Sequence, residues 1–157
     1  MMNFVTRWLT GPAPAFSEAR ERDAAAIAAL HAASFRRGWG EDEVQRLLID
    51  RAVVAHRVTI GHTLSGFILS RLAMDEAEIL SIAVAPARRG RGLARRLLEL
   101  HLRRLAGLGA GAVFLEVGER NVPACRLYKR ARFRQVGRRQ GYYEGGSTAL
   151  VLRRDLG

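Results

Sequence analysis

Apolar and polar positions alternate with two different periods along this chain, and the switches between those periods outline its elements. Phe16 to Arg20 reads as a short strand. Arg22 to Ser34 carries Ala25, Ile27, Ala28, Leu30 and His31 at helical spacing and predicts a first helix. The glycine-punctuated aromatic stretch Phe35 to Gly40 breaks it. Glu41, Asp42 and Glu43 then place acids at the positive end of a second helix, Asp42 to Ile49. Ala52 to Ile60 and Leu64 to Arg71 are apolar runs separated by Gly61-His62-Thr63, which predicts a β-hairpin, and Glu76 to Val84 is the next strand. Gly92 to Leu108 predicts a long helix with Leu93, Leu97, Leu100 and Leu105 turned inward and Arg95, Arg96, Arg103 and Arg104 outward. Ala112 to Val117 reads as a buried strand. Val122 to Arg130 is a further helix, with Asn121 as its cap and Pro123 tolerated in its first turn. Arg132 to Tyr143 and Thr148 to Arg153 close the chain as two strands around Glu144-Gly145-Gly146-Ser147. The class is mixed α/β.

At 157 residues the chain suits one domain, 15–157, with 1–14 as an N-terminal arm. The arm holds Arg7, Trp8, Pro12 and Pro14 but no apolar run long enough for a signal peptide or a membrane span, so no membrane partner is expected. One cysteine, Cys125, excludes an internal disulfide framework, and four scattered histidines offer no metal-ligand spacing. These features fit the reducing cytoplasm and a metal-free protein, a monomer or weak dimer. Net charge is +11, and Lys129 is the only lysine among 26 basic residues. Such a balance suits a protein that meets polyanions, ribosome or RNA surfaces included. It equally suits a compositional bias that paints helix faces with arginine, and no arginine-aromatic interleaving decides between the two.

The segment most charged with chemistry is Leu80 to Leu98, an apolar strand that stops at Pro86 and restarts through Gly90 and Gly92 as a helix. Those glycines let backbone approach a ligand, and the helix start offers free N–H groups and a positive dipole end to an anion. Arg89-Gly90-Arg91-Gly92-Leu93-Ala94 fits R/Q-x-x-G-x-G/A and lacks both the dinucleotide-fold glycine pattern and the Lys-Ser/Thr of a P-loop. A pyrophosphate other than that of NAD or ATP is the expected ligand.

Downstream, Val113-Phe114-Leu115-Glu116-Val117 and Asn121 through Phe133 follow at set intervals. With these three segments in this order, the chain resembles the GCN5-related N-acetyltransferase (GNAT) superfamily from about Ala15 to Arg154. The resemblance implies a mixed central sheet of about seven strands and about four helices. Its fourth and fifth strands, here Glu76 to Val84 and Ala112 to Val117, part at a bulge, and acetyl-CoA lies in the opening. It further implies that backbone groups of Ile82, Ala83 and Val84 hold the acetyl and pantetheine portions, with an N–H near Val84 polarising the thioester carbonyl. Arg89, Gly90, Arg91, Gly92, Leu93, Ala94 and Arg95 would take the pyrophosphate, chiefly through backbone amides.

Glu116 interrupts an apolar strand, where a carboxylate is costly unless solvated, paired or used. Leu115-Glu116-Val117, Asn121 and Leu127-Tyr128 together resemble the bacterial ribosomal-protein-alanine N-acetyltransferases. That resemblance implies that Glu116 takes a proton from the amine through water, that Tyr128 gives one to the departing thiolate, and that Asn121 binds the pantetheine arm. A phenol near 10 and a thiol near 8.5 make the second transfer sensible only on contact. The plainer readings are a wet strand face for Glu116, a core aromatic for Tyr128 and a simple cap for Asn121. Cys125, one turn before Tyr128, suits a small buried residue. Phe35 and Trp39, with Tyr142 and Tyr143 of an Arg-x-x-Tyr-Tyr stretch, would flank the acceptor peptide; otherwise they are loop and strand aromatics. Ala131-Arg132-Phe133 departs from the family's Leu-Gly-Phe by replacing a C-cap glycine.

The resemblance thus implies an acetyl-CoA-dependent N-acetyltransferase acting by direct transfer on an N-terminal alanine of a ribosomal small-subunit protein. Lysine or a small amine are the alternative acceptors. A non-catalytic, ribosome- or RNA-associated acetyl-CoA-binding module is the alternative of another class.

Overall fold

The period-two runs become strands β1 (Pro14–Glu18), β2 (Val53–Ile60), β3 (Thr63–Ala73), β4 (Glu76–Val84), β5 (Ala112–Gly118), β6 (Arg134–Arg139) and β7 (Ala149–Asp155). The helical runs become α1 (Ala24–Ser34), α2 (Glu41–Ile49), α3 (Leu93–Gly107) and α4 (Val122–Arg130). In the computed structural model, which describes residues 11–142 and 146–157, the strands form one seven-stranded sheet in the order β1-β2-β3-β4-β5-β7-β6. Every pairing is antiparallel except β4 with β5, which are parallel because α3 carries the chain back across the sheet between them.

Each face of the sheet has its own core. On one side α3 and α4 pack Leu97, Leu98, Leu105 and Tyr128 against Ile68, Val84, Leu115 and Val117. On the other, α1 and α2 pack Ile27, Ala28 and Val44 against Phe67, Leu69 and Ala83. Leu97, Leu98 and Leu105 are fully buried, a contribution of roughly 1.5–3 kcal/mol each. The helix stripe is not quite the expected one. Leu100 is only half-buried, whereas Leu98, His101 and Leu102 are inside, because α3 lies in the groove with a face rotated from the one the leucine spacing suggests.

Element ends also moved for local reasons. The first strand runs Pro14–Glu18 rather than Phe16 to Arg20, since the Arg20 N–H is drawn to the Asp23 carboxylate (2.8 Å) at the entrance to α1. The hairpin closes through Gly61-His62 alone, with Ile60 facing Thr63 and Gly61 at φ +63°. The strand expected from Arg132 to Tyr143 is shorter at both ends. Arg132 sits at φ +67° and ends α4, Phe133 N–H bonding back to the Tyr128 carbonyl, so the left-handed cap survives the loss of glycine. Residues 1–10 of the arm, and Tyr143, lie outside the described residues.

Candidate functional site

Parallel pairing joins β4 to β5 only over Glu76–Glu78 and Ala112–Phe114. Beyond it the β3–β4 register jumps from Leu69 opposite Ser81 to Ser70 opposite Ile79, so Leu80 is a bulge residue. The extra residue bends β4 away from β5, which stays with β7, and an opening forms between them. Ala85 N–H bonds to the Ser65 carbonyl across β3 (2.8 Å). By strand alternation Ile82 and Val84 therefore turn their N–H and C=O groups toward the opening. The Val84 carbonyl is reached from there by Arg89 Nε (3.1 Å), which ties the following loop to the strand. The side chains of Ala83 and Val84 are buried and that of Ile82 half-buried, so these residues offer backbone rather than functional groups.

In the loop, Gly90 and Gly92 take φ +78° and +77°, and a Cβ at either would meet nothing within 4 Å. The first helical bond of α3 is Arg96 N–H to the Gly92 carbonyl (3.1 Å). N–H groups from Gly90 through Arg95 have no backbone acceptor among the described residues, and no side chain caps α3. Leu93 anchors the helix start in the core, Ala94 is half-buried, and Arg91 is exposed with no ion pair among the described residues; Arg95 pairs with Glu99 along the helix (3.1 Å). Free amides, a helix dipole, unfilled space and arginine make a donor set that fits a pyrophosphate.

Glu116 and Tyr128 lie on opposite faces of the sheet. Leu115 and Val117 belong to the core shared with Tyr128, so Glu116 between them projects to the other face. There it is about one quarter exposed, and its Oε1 meets Arg139 (3.3 Å) while Oε2 has no partner among the described residues. Helices α1 and α2 pack chiefly on β2, β3 and β4 on that face. Tyr128 is buried edge-on to Phe133 (5.6 Å between centroids). Burial, with a smaller push from Cys125, drives its phenol well above the ordinary tyrosine value, so it is held as a proton donor. Its hydroxyl makes no hydrogen bond among the described residues. Asn121 caps α4 through Oδ1, accepting from Ala124 N–H (3.3 Å), which leaves its amide nitrogen for any other role. Cys125 donates to the Gly118 carbonyl (3.6 Å), and burial followed by Glu119 pushes its thiol up, away from reactivity.

On the α1–α2 side a cleft of about 460 Å³ is lined by Trp39, Glu43, Arg46, Leu47 and Leu80, with the Arg71–Asp50 ion pair at its margin. Trp39 is therefore beside the bulge that opens the sheet. Phe35 is turned instead onto the His31 ring (4.5 Å). Tyr142 lies under the Arg139 guanidinium (5.3 Å), so Arg139 bridges Glu116 and Tyr142, a link the sequence pattern did not single out. Two further groups escaped the sequence reading. His101 sits fully buried on α3 between His56 Nδ1 (2.7 Å) and Ser70 Oγ (2.6 Å), and the Ser81 hydroxyl beside the bulge is buried with no partner among the described residues. The one signal for His101 was a polar residue exactly one turn after Leu97 on the apolar stripe. Among the described residues no three histidine, cysteine or acidic side chains gather as a metal set, and no helix is long and apolar enough to cross a membrane.

The acetyltransferase (GNAT) family model matches residues 24–133. An N-alpha-acetyltransferase RimI of Mycobacterium tuberculosis is 42% identical over 102 residues, 62% of this chain and 63% of that protein, so the match spans somewhat less than two thirds of the relative. A [ribosomal protein bS18]-alanine N-acetyltransferase of Salmonella typhimurium is 31% identical over 99 residues, 61% of this chain and 67% of its own length. In fold, the crystal structure of the ribosomal-protein-S18-alanine N-acetyltransferase from Escherichia coli superposes with a TM-score of 0.85 at 24% identity, covering 92% of this chain and 94% of the other.

Proposed function

Because the chain belongs to the acetyltransferase (GNAT) family, whose members use acetyl-CoA, we propose that it acetylates a protein N-terminal amine, the alanine of a ribosomal small-subunit protein. What supports this reading is the combination of unpaired amides at the helix start that follows β4, a part-exposed carboxylate on β5 and a buried, protonated phenol on α4. Acetyl-CoA supplies an acetyl group already activated as a thioester. The free N–H groups of Gly90 through Arg95 hold its pyrophosphate, with Arg89 and Arg91 adding charge, and the amide nitrogen of Asn121 reaches the pantetheine arm. The Val84 N–H, turned into the opening, polarises the thioester carbonyl.

Transfer forms a bond from the amine nitrogen to the carbonyl carbon and breaks the bond from that carbon to sulfur. Glu116 Oε2, without a partner among the described residues, receives the amine's proton through water while Arg139 keeps Oε1 in place. Tyr128, on the far side of the sheet, gives its proton to the leaving sulfur. No enzyme nucleophile is needed, so the reaction is direct transfer within a ternary complex. Trp39, Tyr142 and Tyr143 are the acceptor-facing aromatics, and Phe35 acts behind them. The relatives' names favour an N-terminal amine, and alanine in particular, over lysine or a small amine. The reading places the protein in the cytoplasm, where a free thiol such as Cys125 stays reduced.

Intact-mass analysis of small-subunit ribosomal proteins incubated with the protein and acetyl-CoA tests it. A single acetyl addition mapped to an N-terminal alanine is expected, and addition only to lysine side chains would overturn the acceptor assignment. One observation favours a polyanion-binding role beside this: Arg126, Lys129, Arg130 and Arg132, on and just after α4, have no ion-pair partners among the described residues. RNA affinity that falls steeply with salt, without any acetyl transfer, would mark a binding module instead.

A further inference from the structure

The loop that brings Trp39 to the cleft has little regular structure of its own; residues 35–40 run between α1 and α2 without a backbone ladder. What holds it is a histidine. Trp39 N–H donates to His31 Nδ1 (3.0 Å), and the indole lies flat on the imidazole with centroids 4.2 Å apart and planes 10° from parallel. Phe35 closes on the same ring at 4.5 Å, and Phe67 of β3 lies beneath at 6.2 Å. His31 itself is fixed by α1, buried, and set against Phe67, which belongs to the core that also contains Ala83 of β4. Two of the four aromatics that the sequence placed near the acceptor, Phe35 and Trp39, are thus positioned through one side chain. Only an Nδ1 that carries no proton can accept the Trp39 N–H.

We propose that His31 is the positioning residue of the acceptor side: its unprotonated Nδ1 holds the Trp39 loop against the cleft, and protonation releases that loop and weakens the grip on the acceptor but not on acetyl-CoA. The proposal rests on the reading of the Trp39 cleft as the acceptor side. Burial disfavours the imidazolium and lowers the His31 pKa from 6.5, while the charge of Glu43 of α2 pulls the other way; from β3 the apolar Phe67 lies beside the ring. The hold is therefore complete at neutral pH and is lost as pH falls below the ordinary histidine range. None of the contacts around His31 involves Arg89, Gly90 or Gly92, whose loop follows β4 and opens α3.

Two substitutions separate the ring from its proton. His31→Phe keeps the stack and removes the acceptor atom; His31→Asn places an amide oxygen near the Nδ1 position and cannot titrate. With a short alanine-starting peptide as probe, His31→Phe should raise the peptide KM about five- to tenfold, the worth of one hydrogen bond, with kcat and the acetyl-CoA KM within about twofold of the parent. The peptide's own amine titrates identically for every variant, so the ratio of parent to His31→Asn peptide KM isolates His31. That ratio should rise as pH falls from about 7 to about 4. A peptide KM within twofold for His31→Phe, or a ratio that stays flat, would overturn the proposal.

A measurement without substrate separates this outcome from failure of the acetyl-transfer reading. In a Trp8→Phe protein, Trp39 is the sole tryptophan. Its emission should titrate with one proton over the same pH range and stop doing so when His31→Asn is added. That titration with no peptide acetylated would mean that the acceptor reading had failed while His31 still positions the loop. Emission unchanged by pH in the parent would overturn the positioning role itself.

Discussion

Acid should weaken the seam between α3 and the β2–β3 hairpin, and His101 sets the size of the effect. Its ring is fully buried, with one nitrogen 2.7 Å from His56 Nδ1 and the other 2.6 Å from Ser70 Oγ. A neutral imidazole, with one donor and one acceptor nitrogen, satisfies both contacts. Burial first, and the neighbouring His56 second, bring its pKa down from 6.5 to about 3. The unfolded chain therefore binds this proton before the folded one does. Stability falls as pH drops through 6.5 and the loss levels off near the folded value. At 1.4 kcal/mol per unit, that span is worth up to about 5 kcal/mol, comparable with the whole stability of a modest domain.

His56, also lowered by burial, adds a loss of the same sign. His101→Leu removes the proton linkage but strands the Ser70 hydroxyl and the His56 ring, at roughly 1–3 kcal/mol for each. The variant should be the less stable at about pH 7 and lose stability more slowly in acid, so that the two curves converge toward about pH 4. Urea midpoints measured every half unit, with the slope of each transition checked for constancy, give both curves. Parallel curves for parent and variant would show that His101 is not the group that takes up the proton, and the argument from its burial would be wrong.

Three substitutions address the opening. Gly92→Val, at φ +77°, should cost the fold only about 1–2 kcal/mol of backbone strain, because the space around it is open. It should weaken acetyl-CoA binding at least tenfold by calorimetry, and unchanged affinity in a folded protein would remove the cradle. Tyr128→Phe keeps the packing against Phe133 and should lower turnover by about 10²–10⁴-fold with acetyl-CoA affinity intact; turnover within twofold would leave Tyr128 a packing residue. Glu116→Gln should flatten the acidic limb of the pH–rate profile and recover partly at high pH, where the amine is already free. Profiles of equal height and shape for parent and variant would take Glu116 out of the mechanism.

Local order in this chain follows from local physics, which is why β4, α4 with its Asn121 cap, and the glycine turn into α3 were legible before any coordinates. Each rests on spacing, capping or backbone freedom that a few consecutive residues decide. The family resemblance added the splay of β4 from β5, and the Leu80 bulge now supplies its cause. Side-chain partners were a different matter. Nothing in the sequence joins Arg139 to Glu116, since that contact exists only because β7 lies between β5 and β6. Leu100 and Leu98 exchanged places because the packing angle of α3 is set by the sheet beneath it, not by leucine count. The histidines show the division most clearly. Spread along the sequence they form no motif, yet the fold stacks His31 under Trp39 and locks His101 to His56 and Ser70. The sequence determined which segments form elements, because hydrophobic period and backbone conformation act over a few residues. Only the tertiary structure decided which polar groups are buried together, because that depends on contacts between residues tens of positions apart.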